Sequence, residues 1–247
     1  MAKEIKVLLF RGTWAPLDGD GILGDFARQL SLWADVEWVN YPASYGQPSY
    51  DISINQGVRM GLDALRRTDK LAFVAGYSQG ADVAGYLHAL LNGTMPNVNK
   101  HDLSNCEVRN SFLIADPSRA KDAQTVGGPV GGWGIRGGRP VGRGSYTIAV
   151  PGDPICAYPD GPLRSFADFS AYYGDPDAVE KIRKRVREKS LQPWWRKPNP
   201  LEWGANWFGT LGWINNYFSG FHTDQYIKRG YIKQLADVAN KKASEIL

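Results

Sequence analysis

At 247 residues, the chain has the length of one α/β domain with an insertion, or at most of two small domains. Its hydrophobic fraction of 43% is that of a globular protein with a substantial core, and its net charge of +4 is too small to indicate a nucleic-acid binder. The basic tract at 181–189 includes Glu188, so a solvated helix face explains this tract better than a phosphate-binding patch.

The composition also bears on metals, membranes and secretion. Two cysteines, Cys106 and Cys156, are too few for a disulfide framework, and no cluster of metal ligands surrounds either in the sequence. We therefore expect reduced thiols, no metal and no cofactor. Residues 1–6 lead directly into a strand pattern without the apolar core of a signal peptide, which favours synthesis in the cytoplasm. Residues 203–223 are uncharged, but their glycines and asparagines make a membrane span a poor interpretation.

The first half of the chain alternates between strand and helix patterns. Apolar and β-branched runs predict strands at 5–10, 35–41 and 71–75. Apolar residues at helical spacing predict helices at 25–33, at 53–67 and from 81 onward. Two further apolar runs predict strands at 108–115 and 146–150. This order is typical of an α/β fold with a mostly parallel sheet covered by helices on both faces.

A sharp strand-to-helix turn is predicted at 76–80, where the sequence is GYSQG. The pattern G-x-S-x-G between a strand and a helix is typical of the nucleophile elbow of α/β-hydrolases. A Cβ atom at Gly76 or Gly80 would collide with the neighbouring backbone of so tight a turn. The pattern predicts Ser78 as a catalytic nucleophile, and an ordinary strand–helix loop is the alternative.

A serine nucleophile needs a histidine as its base, and the chain has three histidines. His88 follows Ser78 by ten residues on the same predicted helix, about 15 Å along its axis, and so cannot reach back. His101 precedes the next strand, which is out of order for a fold whose triad runs serine, acid, histidine. His222 lies in a loop before the last helix and is therefore the predicted base.

Two aspartates are candidates for the acid of the triad. Asp116 and Asp153 each follow a predicted strand and each precede a proline. Asp116 ends the strand next after the elbow, whereas Asp153 comes after the following strand. The later position suits the acid better, so we favour Asp153 and keep Asp116 as the alternative.

The predicted oxyanion hole has two donors. One is the backbone N–H of Gln79, directly after the nucleophile, and the other lies near Thr13, after the first strand. A simple turn at Gly12 is the alternative for the second donor. The side-chain amide of Gln79 is either a further donor or a surface group. Three aromatic residues are expected to contact the substrate: Trp14, Tyr77 and Trp207.

The second half of the chain is more irregular. The glycine-rich stretch at 127–144 lacks the Lys-Ser/Thr ending of a phosphate-binding loop, so we interpret it as a surface loop near the site. A charged helix is predicted from Pro176 to about Leu191, with Asp175 as its N-cap, and a last helix from about 225 to 244. We divide the chain into a catalytic domain at 1–156 and 220–247 and an inserted helical region at 157–219.

The inserted region is rich in aromatic residues. They include five tryptophans, at 194, 195, 203, 207 and 213. These side chains either pack against the catalytic domain or form an apolar wall that receives a long acyl chain.

These motifs resemble those of the cutinase-like serine esterases. The resemblance is carried by residues 76–80 (GYSQG), the turn at 152–156 (GDPIC) and the late His222. Within that group the chain is similar to the lysin B family of phage mycolylarabinogalactan esterases, through 11–13 (RGT), 40–43 (NYPA) and 116–119 (DPSR).

Two features depart from the cutinase pattern. Cutinases pair cysteines on either side of the catalytic aspartate turn, and here only Cys156 is present. In cutinases the histidine also follows soon after the acid, whereas 69 positions separate Asp153 from His222. A helical insertion at this place resembles the linker region of lysin B.

The resemblance implies a cutinase-like α/β-hydrolase fold with a helical, tryptophan-rich insertion. It implies hydrolysis of the ester between mycolic acids and arabinogalactan late in phage infection, by a protein made in the host cytoplasm that acts at the host envelope. We expect a monomer whose partner is this lipid-ester substrate, with no nucleic acid and no stable membrane span. A general cutinase or short-chain lipase, a peptidase and a non-catalytic protein of the same fold are the alternatives.

Overall fold

A computed structural model of the chain describes residues 5–94, 107–121, 123–140, 142–158, 176–177, 179–180, 183 and 219–247. The described residues contain one sheet, whose strands are β1 (Ile5–Phe10), β2 (Ala34–Trp38), β3 (Leu71–Tyr77), β4 (Val108–Ile114) and β5 (Ser145–Ile148). The strand order is β2-β1-β3-β4-β5, and every neighbouring pair is parallel.

Helices cover both faces of this sheet. They are α1 (Gly21–Arg28), α2 (Tyr50–Arg66), α3 (Gln79–Leu91), α4 (Asp224–Lys228) and α5 (Tyr231–Ser244). Alternate residues of β3 serve the two faces: Phe73 joins a core with α1, α4 and α5, while Val74 joins a core with α2 and α3. Because both faces are buried, the central strands consist of nearly continuous apolar runs. No helix of the described residues has the length and hydropathy needed to cross a membrane.

The predicted alternation of strands and helices is confirmed, with differences at the ends of elements. The helix predicted at 25–33 begins earlier, at Gly21. The single helix predicted at 225–244 is two helices, because Gly230 has a φ of +70° between α4 and α5. A left-handed residue cannot continue a right-handed helix. The helix predicted from Pro176 and the aromatic-rich insertion lie almost wholly outside the described residues.

The order of the strands determines where a binding site can lie. The crossover after β1 carries α1 over one face, and the crossover that leads to β3 carries α2 over the other. β1 and β3 are neighbours, with Phe10 paired to Gly76 at their carboxyl ends. Ligands of open parallel sheets bind in the crevice outside the strand ends at such a switch point. The loop after β1 and the GYSQG turn after β3 therefore meet there.

Candidate active site

The GYSQG turn holds Ser78 between the end of β3 and the start of α3 in a strained conformation. Its φ is +55° and its ψ is −121°, a combination that costs a residue with a Cβ of order 1–3 kcal/mol. A Cβ at Gly76 would overlap the carbonyl group of Gly80, and one at Gly80 would overlap the carbonyl group of Phe10. The predicted need for glycine at both positions is confirmed. The backbone N–H of Ser78 is fixed by a bond of 2.9 Å to the carbonyl oxygen of Ile114 on β4.

Similar strain occurs in the loops that follow three of the other strands. The described non-glycine residues with positive φ are Trp14 after β1, Ala43 after β2, Ser78 after β3 and Ala115 after β4. All four lie at the carboxyl edge of the sheet. Such strain persists where the surrounding structure enforces it, and it concentrates at functional sites.

Three predicted residues from distant parts of the chain meet at this edge. The His222 Nε2 atom lies 2.9 Å from the Ser78 Oγ atom. The His222 Nδ1 atom lies 3.1 Å from each carboxylate oxygen of Asp153. His222 and Asp153 are buried, and Ser78 is partly exposed. The side chains thus form the continuous hydrogen-bonded arrangement that a serine–histidine–aspartate triad requires.

Asp153 is held as a carboxylate by donors on both of its oxygens. Burial alone would raise the pKa of Asp153, but the pKa lies below its ordinary value because of the interaction with His222 and three hydrogen bonds. Besides His222, the Ile155 N–H donates to Oδ1 at 2.8 Å and the Tyr226 hydroxyl donates to Oδ2 at 2.6 Å. An ionised aspartate can orient the imidazole and stabilise its protonated form.

Asp116, the alternative acid, lies in a different environment. Its carboxylate is buried against Arg139, whose Nη2 atom donates to Asp116 Oδ2 at 2.7 Å. Burial raises the pKa of Asp116 to about 6, opposed by Arg139 and assisted by the neighbouring Asp82. His222 contacts Asp153 instead.

Tyr77 contacts the predicted base, whereas His88 lies elsewhere. The Tyr77 ring stacks on the His222 imidazole at 5.3 Å between centroids, and its hydroxyl donates to the His222 carbonyl oxygen at 2.7 Å. His88 is buried in α3, where burial lowers its pKa to about 4. His101 lies outside the described residues.

One predicted oxyanion donor directly follows the nucleophile, and the other lines the same cleft. The Gln79 N–H belongs to the first turn of α3, where backbone N–H groups have no acceptor within the helix and the helix dipole favours negative charge. Thr13 lines the same cleft as Ser78. The Gln79 side chain is not a surface group, because it is fully buried, its Nε2 atom donates to the Ser44 carbonyl oxygen at 2.7 Å and its Oε1 atom accepts from the Ser53 hydroxyl at 3.2 Å.

Ser78 opens into a cleft of about 600 Å³. Its walls are mainly aromatic and aliphatic, and two of the residues predicted to contact the substrate belong to them. The lining consists of Thr13, Trp14, Tyr45, Tyr50, Tyr77, Ser78, Pro117, Ile135, Arg136, Ile155, His222 and Thr223. Trp14 is 74% exposed, so its ring is available to a ligand. Trp207 lies outside the described residues.

The sequence did not reveal the ion pairs at and beside this cleft. Arg139 bridges Asp82 and Asp116, and Arg136 forms an ion pair with Asp51. Both arginines come from the glycine-rich stretch at 127–144: Arg139 is buried in the core, and the half-buried Arg136 lines the cleft. Glycine-rich composition predicts a loop, but long-range ion pairs have no local sequence signal.

This arrangement can perform nucleophilic acyl transfer. The imidazole of His222 can take the hydroxyl proton of Ser78 as the oxygen attacks a carbonyl carbon, and Asp153 stabilises the imidazolium that forms. Backbone N–H groups at the start of α3 are suited to bind the oxyanion. Among the described residues, no group of histidine, cysteine, aspartate and glutamate side chains is arranged to hold a metal ion.

Comparison with known proteins supports the fold. Neither a protein-family model nor a curated protein sequence matches this chain. The solved structure of lysin B from Mycobacteriophage D29 is similar, with a TM-score of 0.55 and 20% identity over 69% of this chain and 74% of that one. At this identity the similarity shows a shared α/β-hydrolase fold.

Two cutinase structures match with lower TM-scores. A novel cutinase-like protein from Cryptococcus sp. is 17% identical, with a TM-score of 0.48 over 76% of this chain and 95% of that one. Trichoderma reesei cutinase, solved with a phosphonate inhibitor, is 22% identical, with a TM-score of 0.40 over 70% of this chain and 76% of that one.

Proposed function

We propose that the chain is a serine carboxylic-ester hydrolase that cleaves the ester between mycolic acids and arabinogalactan in mycobacterial-type cell envelopes. The observation that carries the proposal is the continuous hydrogen-bonded chain from Ser78 through His222 to Asp153, whose first two members line an apolar cleft. Ser78 attacks the ester carbonyl as His222 takes its hydroxyl proton, and His222 then gives that proton to the departing sugar oxygen, which leaves as an alcohol. A water next attacks the acyl-enzyme while His222 takes a proton from it, and the acid is released as that proton passes to the Ser78 oxygen.

The apolar cleft favours a lipid acyl group as the substrate. Aromatic and aliphatic walls exclude water from a hydrocarbon chain, which adds binding energy roughly in proportion to the buried area. The sequence resemblance to lysin B and the shared fold with lysin B from Mycobacteriophage D29 support the mycolyl ester in particular. In this proposal the protein is made in the cytoplasm of an infected host and acts on the envelope at lysis.

Replacement of the nucleophile tests the reaction class. We expect Ser78→Ala to lower kcat for a chromogenic butyrate ester by at least about a thousandfold, because the substitution removes the oxygen that forms the acyl-enzyme. Ser244→Ala, a serine on the exposed end of α5, is the matched control and is expected to keep wild-type kcat. Equal lack of activity in the wild type and in Ser78→Ala would support a non-catalytic protein instead.

Release of mycolic acids tests the substrate. Purified mycolylarabinogalactan and tributyrin are offered to the wild type side by side, and the released acids are quantified. We expect mycolic acids to appear from the wild type and not from Ser78→Ala. Cleavage of tributyrin without release of mycolic acids would contradict the proposed substrate and favour a general cutinase or short-chain lipase.

A further inference from the structure

Tyr226 is a buried tyrosine of α4, on the same segment as His222, and its hydroxyl lies among three polar groups. The oxygen is 2.6 Å from the Asp153 Oδ2 atom. It is also 3.2 Å from the backbone nitrogen of Val150 and 3.2 Å from the Cys156 Sγ atom. Tyr226 belongs to no recognisable sequence motif, although it stands four positions after His222.

The direction of each hydrogen bond follows from the number of protons available. A phenol has one proton, and an ionised carboxylate can only accept, so the Tyr226 hydroxyl donates to Asp153. The Val150 N–H then donates to the phenol oxygen, and the Cys156 thiol is left as a donor to the same oxygen. Burial raises the pKa of both Tyr226 and Cys156 well above their ordinary values, which keeps both groups neutral.

These bonds give the two oxygens of Asp153 matching environments. Oδ1 accepts from the Ile155 N–H and Oδ2 accepts from Tyr226, and both oxygens stand 3.1 Å from His222 Nδ1. If the Tyr226 hydroxyl were removed, Asp153 Oδ2 would lose one of its two hydrogen-bond partners among the described residues and keep only His222. A buried carboxylate that loses a donor is free to rotate toward whatever donor remains.

The same residue also connects two parts of the chain. Asp153 lies in the turn that follows β5, whereas His222 lies in the segment that leads into α4. Tyr226 belongs to the second segment and bonds the first through Asp153 and the Val150 N–H. The acid and the base are thus held at a fixed separation by a side chain that contacts neither the cleft nor Ser78 in the described structure.

We propose that Tyr226 is a positioning residue: its hydroxyl orients the Asp153 carboxylate toward His222 and ties the turn of the acid to the segment of the base. The reaction that it serves rests on the proposed function, but the orientation of the imidazole does not. The other titratable and charged groups nearby are the following: Tyr77, which stacks on His222; Tyr231, whose ring centroid is 6.3 Å from that of Tyr226; Cys156, which contacts the phenol oxygen; and Arg119, which donates to the Cys156 carbonyl oxygen.

Tyr226→Phe removes the donor and keeps the ring. We expect kcat for a butyrate ester to fall between about tenfold and a hundredfold, because a displaced acid misaligns the base. KM should stay within about twofold of wild type, because Tyr226 does not line the cleft. Through nitrogen-15 NMR of the labelled protein, we expect the His222 Nδ1–H resonance to move or broaden.

Two comparisons separate positioning from packing. Cys156→Ala removes a contact of the phenol oxygen but keeps the bond to Asp153, so its kcat and Nδ1–H resonance should match wild type. In an Asp153→Asn background, Tyr226→Phe should have little further effect on kcat, because Tyr226 acts through Asp153. Unchanged kcat and Nδ1–H resonance in Tyr226→Phe, or the same losses in Cys156→Ala, would overturn the proposal.

The NMR measurement tests the role of Tyr226 independently of whether the protein hydrolyses esters. If the wild type hydrolyses no ester, the Nδ1–H resonance of His222 in Tyr226→Phe still decides the role of Tyr226. If Tyr226→Phe fails to fold, NMR of the wild type tests the role of Tyr226 instead. We expect the hydroxyl proton of Tyr226 to exchange slowly with water because it is bonded to Asp153, and the absence of such a proton would overturn the proposal.

Discussion

At the scale of single residues, Asp116 and Asp153 differ in the groups that face them. Both follow strands of the same sheet and both are buried. Asp153 faces an imidazole, a phenol and a backbone N–H, which together hold its pKa low despite burial. Asp116 faces Arg139 and lies near the carboxylate of Asp82, and burial raises its pKa. The first environment is suited to supporting a base, and the second to holding a loop in the core.

Neutralising each aspartate tests this difference. We expect Asp153→Asn to lower kcat for a butyrate ester by about a thousandfold or more, because an amide cannot stabilise the imidazolium. We expect Asp116→Asn to keep kcat within a few-fold of wild type. Steady-state kinetics and circular dichroism of both purified variants provide the measurement. Inactivation of a folded Asp116→Asn with an active Asp153→Asn would show that the acid is Asp116.

At the scale of elements, α3 carries Ser78 at its start and Gly85 in its middle, where Arg139 crosses the helix. A Cβ at Gly85 would overlap the guanidinium group of Arg139. That group is held by the carboxylates of Asp82 and Asp116, so it cannot move aside without breaking buried ion pairs. The glycine therefore lets the stretch at 127–144 pack against the helix of the nucleophile.

Gly85→Ala should destabilise the fold through this contact. Displacing a buried arginine from its carboxylates costs about 3 kcal/mol or more, which far exceeds the gain in helix propensity. Urea denaturation measures the free energy of unfolding. Gly131→Ala is the control, since a Cβ there meets nothing within 4 Å, and it should lie within about 0.5 kcal/mol of wild type. Equal stability of Gly85→Ala and wild type would show that Arg139 relocates without penalty.

The elements also show which features were open to prediction. β1 was predicted with the bounds that it has, because Ile5–Phe10 is apolar at every position except Lys6. The GYSQG turn was equally clear, because its two glycines have a local steric cause. The break at Gly230 was missed, since a glycine within a helical pattern does not reveal its φ. Tyr226 and Arg139 were missed because their partners, Asp153 and Asp116, are distant in the sequence.

At the scale of the whole molecule, the sheet separates two apolar cores, and several polar side chains are buried together with them. His88 is one such group: it lies in α3 and is 1% exposed. Desolvation lowers its pKa to about 4 from 6.5, opposed by a hydrogen bond to the backbone of Arg109 and assisted by the charge of Arg139. The folded state thus holds His88 neutral at pH values where the unfolded chain would protonate it.

The free energy of unfolding should therefore depend on pH through His88. Because the folded pKa lies below the unfolded one, the contribution of His88 is fully present above pH 6.5 and is lost as the pH falls toward 4. The loss amounts to about 3 kcal/mol over this window, at up to about 1.4 kcal/mol per pH unit. Asp116 titrates in the opposite sense in the same window, since its pKa is raised.

Comparison of the wild type with His88→Gln isolates His88, because the contribution of Asp116 cancels in the difference between their free energies of unfolding. Urea denaturation of both proteins from pH 7.5 to 4 gives this difference. We expect that difference to fall steadily as the medium is acidified, and parallel curves for the two proteins would refute a buried neutral His88.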